Sequence, residues 1–147
     1  NVCGLQIRFF NDGFHRCFAR VTLGDHYQSY PGVVHGGILA TILDETMGRA
    51  VLAEGDEGAY PALLEERFMF TAKMDIRYRH PVPLHKEFIV RGQVDSDRGR
   101  MAQVSGQVVL EDGTVAVEAS ATLVDIPHDQ VASMVEEDTV GWQVYPD

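Results

Sequence analysis

The chain has few cysteines and no long apolar run. Its 147 residues include two cysteines, Cys3 and Cys17, which are too few for a disulfide framework. No stretch approaches the roughly 18 consecutive apolar residues that a membrane span needs. The opening Asn-Val-Cys-Gly also lacks the basic and apolar segments of a secretory signal. We therefore expect a cytoplasmic protein that does not enter membranes and that lies in a reducing compartment.

Basic residues are also scarce. The sequence has 12 lysines and arginines against 22 acidic residues, which gives a formal net charge of -10. Because phosphate binding normally needs a basic face, this charge argues against a nucleic-acid partner. The 6 histidines include no pair at the helical spacing of metal ligands, so we predict no metal site.

The length and the periodicity of the sequence predict one α+β domain. We assign residues 1–127 to the domain and residues 128–147 to a tail that packs on it, with a short helix at 130–136 and Trp142 as anchor. One long helix is expected to lie against an antiparallel sheet of about six strands. The expected strands are 4–10, 14–22, one that begins at residue 68, 87–97, 101–111 and 114–126, with the helix at about 36–54 and loops at 24–35 and 55–66. The first hairpin would place Cys17 opposite Ile7.

The most informative segment is His35-Gly-Gly-Ile-Leu-Ala-Thr-Ile-Leu-Asp44. Gly36 and Gly37 suit a helix start, where backbone N–H groups have no intrahelical partner and favour negative charge. The run that follows is apolar nearly all round, which predicts a buried helix and a costly position for Asp44. The glycines are therefore candidate oxyanion donors and Asp44 a candidate catalytic carboxylate.

The same residues also have a purely structural interpretation. The glycine pair can be a tight entry into a helix, and Asp44 can be a buried aspartate that bonds to local backbone or to Thr41. At about 100° per residue, Thr41 and Asp44 share one small, polar helix face with Gly37 and Gly48. Glu45 points elsewhere, and Arg49 follows it at the spacing of a surface ion pair.

The pattern of His-Gly-Gly, six residues and an acidic residue resembles the hotdog-fold acyl-CoA thioesterases, specifically the PaaI-type and 4-hydroxybenzoyl-CoA thioesterase group. The segment from Thr71 to Leu84, with its Tyr-x-x-Pro turn, resembles the central strand of that family, and the likeness covers about residues 4–126. It implies a hotdog fold, hydrolysis of an acyl-CoA or acyl-carrier thioester, and no cofactor beyond the coenzyme A of the substrate.

The resemblance also suggests roles for polar residues around the motif. Thr71 stands where relatives carry a Ser or Thr that positions water, although strand parity groups it with Lys73, so its side chain needs a bulge or a subunit interface to reach the site. Relatives often have Asn or Gln six residues before the motif histidine, where the amide helps to hold the attacking water or the thioester. This chain has Ser29 there, preceded by Gln28. His35 is expected either to cap the helix or to lie near the thioester.

A group of basic residues between positions 77 and 100 offers a local exception to the acidic charge. We expect coenzyme A contacts from Arg77 and Arg79 and from the turn Arg98-Gly99-Arg100, the strongest candidate for a phosphate contact, whereas alternating charges on exposed strands are the structural interpretation. The resemblance implies a homodimer or a dimer of dimers, a homotetramer, with the active site between subunits. Two alternatives stay open: an acyl-CoA-binding protein without activity and, because Pro31-Gly-Val33 loosely matches their loop, a hotdog dehydratase.

Overall fold

The computed structural model describes residues 4–53, 68–127 and 130. The predicted loop at 55–66, the anchoring role of Trp142 and all but the first residue of the predicted tail helix lie outside these residues. The described chain forms six strands and one long helix. The strands are β1 (Phe9–Asn11), β2 (Arg16–Val21), β3 (Phe68–Tyr78), β4 (Phe88–Asp97), β5 (Met101–Leu110) and β6 (Val115–Ile126); the helix is α1 (Gly36–Ala50), preceded by a 3-10 turn at Asp25–Tyr27.

All six strands join one antiparallel sheet in the order β1-β2-β4-β5-β6-β3, and α1 packs across its inner face. The predicted α+β hotdog fold is thus confirmed, as are the hairpins that connect β4 to β5 and β5 to β6. The helix approaches the sheet most closely over β4, where a Cβ on Gly92 would lie 2.7 Å from the backbone oxygen of Thr46. Glycine at this position lets the helix and strand backbones touch.

The prediction of a helix buried on all sides is wrong. Leu39, Ile42, Leu43 and Met47 are almost fully buried against the sheet. On the opposite side Gly37 and Thr41 are exposed, and Asp44 and Gly48 are partly exposed. These four positions form the solvent face of α1, as their helical spacing predicts. Ile38 and Ala40 are only partly buried. Part of the apolar surface of the helix is therefore left exposed in the single chain.

The first hairpin also differs from its prediction. β1 is three residues long, and its register places Cys17 opposite Asn11 rather than Ile7. The connection between the two strands is longer than a tight Asn-Asp-Gly turn and includes His15, which has a φ of 56°. The His15 N–H donates to the carbonyl of Ala53, and its own carbonyl accepts from Val94.

The two edges of the sheet are unequal. One edge is the short β1, whereas the other is β3, which has 11 residues and pairs along one side only, with β6. Within the described residues no strand covers the other side of β3. Phe70 and Tyr78 on this strand are 42% and 52% exposed. A long edge with exposed aromatic side chains is a surface that commonly pairs with another strand.

Candidate active site

The first backbone N–H groups of α1 have different hydrogen-bond acceptors. His35 is the N-cap, and its Nδ1 accepts a 2.9 Å hydrogen bond from the N–H of Gly37. The N–H groups of Ile38 and Leu39 both donate to the carbonyl of His35. Gly36 N–H is the exception, since it donates to none of the described residues. The capping interpretation of His35 is therefore correct, and the two glycines are not equivalent.

Tyr78 closes one side of this helix start. Its hydroxyl donates a 2.7 Å hydrogen bond to the carbonyl oxygen of Gly36. A Cβ on Gly36 would lie 3.3 to 3.5 Å from the Tyr78 ring and hydroxyl. Burial raises the pKa of the Tyr78 phenol above its ordinary value of 10.0, so the phenol is a donor at neutral pH. Tyr78 was not among the site residues predicted from the sequence; an aromatic residue where the strand ends in the Tyr-x-x-Pro turn was the available signal.

Asp44 lies two turns further along the same helix face. Its Oδ1 accepts a 2.6 Å hydrogen bond from the hydroxyl of Thr71. Strand parity alone would turn Thr71 away from the helix, but the pairing of β3 with β6 shifts by one residue between Thr71 and Lys73. This irregularity at Ala72 is a bulge, one of the two routes that strand parity left open for Thr71. It places the Thr71 hydroxyl on the helix side of the sheet.

Gly36 and Asp44 do not meet within one chain. They are eight residues apart on α1, which corresponds to about 12 Å along the helix axis. A nucleophile and an oxyanion donor must both lie about 3 Å from one carbonyl group. The described chain therefore presents two halves of a candidate site rather than a complete one.

The loop before α1 carries the two polar residues that were proposed to flank the thioester. Gln28 uses its side-chain carbonyl to accept from Gly32 N–H at 2.9 Å, and Ser29 is exposed. Backbone bonds join the loop to the helix start, since His35 N–H donates to the carbonyl of Tyr27. Within the part of the chain that the structure describes, neither proposed side chain bonds to Asp44 or Gly36, so their roles stay predictions.

The basic residues do not form one cluster in the chain. Arg77 and Arg79 lie where β3 ends, and Arg79 contacts the Glu118 carboxylate through Nε and Nη2, each at 2.7 Å. The turn Arg98-Gly99-Arg100 joins β4 to β5 at the opposite end of the sheet, beside the start of β3. Gly99 has a φ of 80° and donates to Asp97 at 2.9 Å. The sequence grouped residues that the fold separates, because antiparallel strands send neighbouring turns to opposite ends.

The predicted ion pair between Arg49 and Glu45 is present, at 3.3 Å, and Asp44 takes no part in it. It is not the surface pair that was expected, because Arg49 is buried. Across residues 4–53, 68–127 and 130, no three or more His, Cys, Asp or Glu side chains are placed to hold a metal ion. The same residues include no helix with the length and apolar character needed to cross a membrane. The Cys17 thiol is buried, which raises its pKa to about 12, so it is unsuited to act as a nucleophile.

A sequence model of the thioesterase superfamily matches residues 31–117, which include the helix, Thr71 and Tyr78. The chain belongs to the thioesterase superfamily. Acyl-coenzyme A thioesterase THEM4 from Mus musculus is 31% identical over 119 residues, which are 80% of this chain and 46% of that protein. The Rattus norvegicus protein of the same name is 31% identical over 83% of this chain and 48% of its own length. The chain thus spans about half the length of these relatives.

Solved structures of the superfamily share the fold. One thioesterase superfamily protein is 30% identical, with a TM-score of 0.62 over 76% of this chain and 49% of that one. The PaaI protein of the E. coli phenylacetic acid degradation operon has a TM-score of 0.71 at 12% identity, over 86% of this chain and 85% of its own. This superfamily member therefore has the hotdog architecture that its motifs predicted.

Proposed function

We propose that the chain hydrolyses acyl thioesters, with an acyl-CoA as the substrate. The observation that carries the proposal is that α1 begins with the Gly36 N–H, which donates to none of the described residues, and carries the Asp44 carboxylate, held by Thr71, about two turns later. Thioester hydrolysis needs these two groups: a donor for the developing oxyanion and a carboxylate for the attack. The names of the THEM4 relatives support acyl-CoA as the substrate class.

The reaction can be written with Asp44 and Gly36 drawn from two copies of this chain. Asp44 takes a proton from water as the water oxygen attacks the thioester carbonyl carbon. Gly36 N–H then donates to the carbonyl oxygen, which carries the negative charge; such a donor is commonly worth about 3 to 4 kcal/mol. Collapse of the intermediate breaks the C–S bond, and the coenzyme A thiolate leaves with the proton that Asp44 took up. In the second version the Asp44 carboxylate attacks the carbonyl carbon directly, the C–S bond breaks, and the coenzyme A thiolate leaves a mixed anhydride. Water then hydrolyses the anhydride, which releases the acid and the free carboxylate and supplies the proton that the thiolate takes up.

These roles refine the expectations for the helix start. Gly37 N–H is bonded to His35, so we assign the oxyanion donor to Gly36 and a capping role to His35. Thr71 orients the Asp44 carboxylate. Gln28 and Ser29, on the loop bonded to the helix start, are proposed to contact the thioester. No metal or cofactor enters either version, and the cytoplasm stays the proposed compartment.

We propose that a second copy of the chain completes the site. The edge of β3 that no described strand covers is the surface that would pair. Among the antiparallel registers that a twofold axis allows, we propose the one that sets Thr71 of one copy opposite Tyr78 of the other. Since Thr71 bonds to Asp44 and Tyr78 bonds to Gly36, this register would bring Asp44 of one copy toward Gly36 of the other. The separation of about 12 Å within one chain would then be no obstacle.

The same pairing would also draw the separated arginines together. Arg98 and Arg100 lie at the end of the sheet where β3 starts, and Arg77 and Arg79 lie where β3 ends. In the proposed pairing, the start of β3 in one copy would face the end of β3 in the other. We propose that these residues bind the phosphates of coenzyme A. Because Arg79 is already paired with Glu118, the turn at 98–100 is the better candidate.

The activity is tested by incubating the purified chain with a panel of acyl-CoAs and measuring free thiol. Saturable, steady release that depends on the protein is the expected result. A binding protein would retain acyl-CoA in equilibrium dialysis without releasing thiol, and a dehydratase would change the enoyl absorbance without releasing thiol. Folded protein that releases no thiol from any member of the panel would contradict the proposal.

The shared site is tested by mixing two inactive variants, Gly36→Val and Asp44→Asn. In Gly36→Val the new side chain would occupy the space of the Tyr78 ring and block approach to the N–H group; Gly36→Ala is a milder second variant. Random exchange makes about half of the dimers mixed, and each mixed dimer contains one intact site, so recovery should approach roughly a quarter of wild type. No recovery, after exchange is verified by mass, would mean that both groups act within one chain.

A further inference from the structure

We propose that Tyr78 is the positioning residue that fixes the oxyanion donor at Gly36, an inference that rests on the proposed function. Tyr78 lies at the end of β3, far along the sequence from α1, yet its hydroxyl reaches the carbonyl of the first helical residue at 2.7 Å. Tyr78 is 52% exposed in the single chain. It therefore lies between the helix start and the edge of β3 at which the second copy is proposed to complete the site.

The contacts of Tyr78 and His35 act on the same peptide unit. The carbonyl of Gly36 accepts from Tyr78, and the N–H of Gly37, in that same planar peptide, donates to His35 at 2.9 Å. A planar peptide that is bonded at both its oxygen and its nitrogen cannot rotate freely about the chain. The Gly36 N–H belongs to the preceding peptide, whose carbonyl oxygen, that of His35, accepts from Ile38 and Leu39. The two peptides meet at the Gly36 Cα, so the Tyr78 bond restricts the rotation of glycine between them.

The glycine at position 36 fits this arrangement. A Cβ there would lie 3.3 Å from Cε1 and 3.4 Å from Cζ of Tyr78, so the absent side chain is what lets the ring rest against the backbone. The ring covers one side of the helix start, which leaves the other side for a carbonyl group. The backbone is in the ordinary helical range at this position, so a left-handed conformation is not the reason for the glycine.

The test is Tyr78→Phe, which keeps the ring contact with Gly36 and removes only the hydroxyl bond. The matched control is Tyr30→Phe, since Tyr30 is 78% exposed on the loop before the helix. We expect kcat of Tyr78→Phe on an acyl-CoA to fall about fivefold to tenfold, the typical effect of one hydrogen bond, while KM stays within about twofold. The control should match wild type in both constants.

A second readout does not depend on activity. A hydrogen bond to a carbonyl polarises the whole peptide, so loss of the Tyr78 bond should move the ¹⁵N resonance of Gly37 in Tyr78→Phe and leave it unmoved in Tyr30→Phe. Equal kcat in Tyr78→Phe and wild type overturns the inference, as does an unmoved Gly37 resonance. A variant that changes KM and kcat together and melts earlier also overturns it, because Tyr78 would then be structural. If wild type itself releases no thiol, the proposed function fails and the inference falls with it.

Discussion

The two faces of α1 differ in the size, polarity and burial of their side chains. On the sheet side, large apolar residues such as Leu43 and Met47 are fully buried, and Gly92 of β4 lets the helix backbone approach to contact distance. On the solvent side, small or polar residues alternate over the same four turns, and a Cβ on Gly48 would meet nothing within 4 Å. Close packing between the helix and the sheet thus requires glycine at position 92. No contact within the described chain requires glycine at position 48.

The difference separates residues that stabilise the fold from residues that are available to contact a substrate or a second copy of the chain. A glycine inside a helix costs roughly 0.5 to 1 kcal/mol relative to alanine, and a carboxylate contributes nothing to an apolar core. Changes on the sheet side should therefore reduce stability, whereas changes on the solvent side should reduce activity. Four substitutions test this division.

The largest effect is expected at Asp44. Asp44→Asn removes the base or nucleophile, so thiol release from acyl-CoA should fall at least about 100-fold, the lower range for acid–base groups. Melting temperature should change little, because the side chain is partly exposed and bonds only to Thr71 among the described residues. Glu45→Gln is the control, since Glu45 pairs with Arg49 and should retain most activity. A folded Asp44→Asn protein with wild-type turnover would remove Asp44 from the mechanism.

Gly92→Ala should give the largest loss of stability. The added methyl group would lie 2.7 Å from the Thr46 oxygen and 3.1 Å from the Met47 nitrogen, both in the helix backbone, so α1 must shift away from β4. Overpacking of this kind costs about 1 to 3 kcal/mol, or about 2 to 4 °C in Tm for each kcal/mol in a chain of this size. Thermal unfolding measures the effect. An unchanged Tm would mean that the two backbones are not in contact.

Thr71→Val tests the link between the sheet and the solvent face. Valine keeps the shape of the side chain but cannot donate to the Asp44 carboxylate, so we expect kcat to fall about tenfold, less than for loss of Asp44 itself. Thr71→Ser keeps the hydroxyl and should restore most of the rate. If valine and serine behave alike, the 2.6 Å bond does not contribute to turnover.

The sequence predicted the helix, the sheet and the common face of Thr41 and Asp44, because period and turn composition are local properties. It did not predict the exposure of that face. An apolar pattern indicates that a surface is suited to burial, but it does not show whether the core of the same chain or another molecule covers that surface. The bulge at Ala72 was required only as one of two ways to bring Thr71 to Asp44, and the pairing of β3 with β6 decided between them.

Contacts between distant segments were the least predictable. Tyr78 reaches Gly36 across 42 positions, and no spacing in the sequence encodes that distance. The arginines at 77, 79, 98 and 100 looked like one group because they are close in sequence, but successive antiparallel strands carry them to opposite ends of the sheet. Site roles were predicted from residue chemistry and resemblance, and the mutations above test them.

The smallest effect, and the most direct comparison with Gly92, is expected from Gly48→Ala. Gly92 lies where the sheet meets the helix, whereas Gly48 lies on the solvent face of α1. The new methyl group at Gly48 has open space in the described chain, so alanine should raise the free energy of unfolding by about 0.5 to 1 kcal/mol through helix propensity. Thermal unfolding of both variants at several protein concentrations checks the contrast. A lower Tm for Gly48→Ala, stronger at concentrations where the protein self-associates, would show that a second copy packs on this face. Raised stability with reduced turnover of long acyl chains would instead place the substrate there, because the methyl group lies one helical turn beyond Asp44 on the same face.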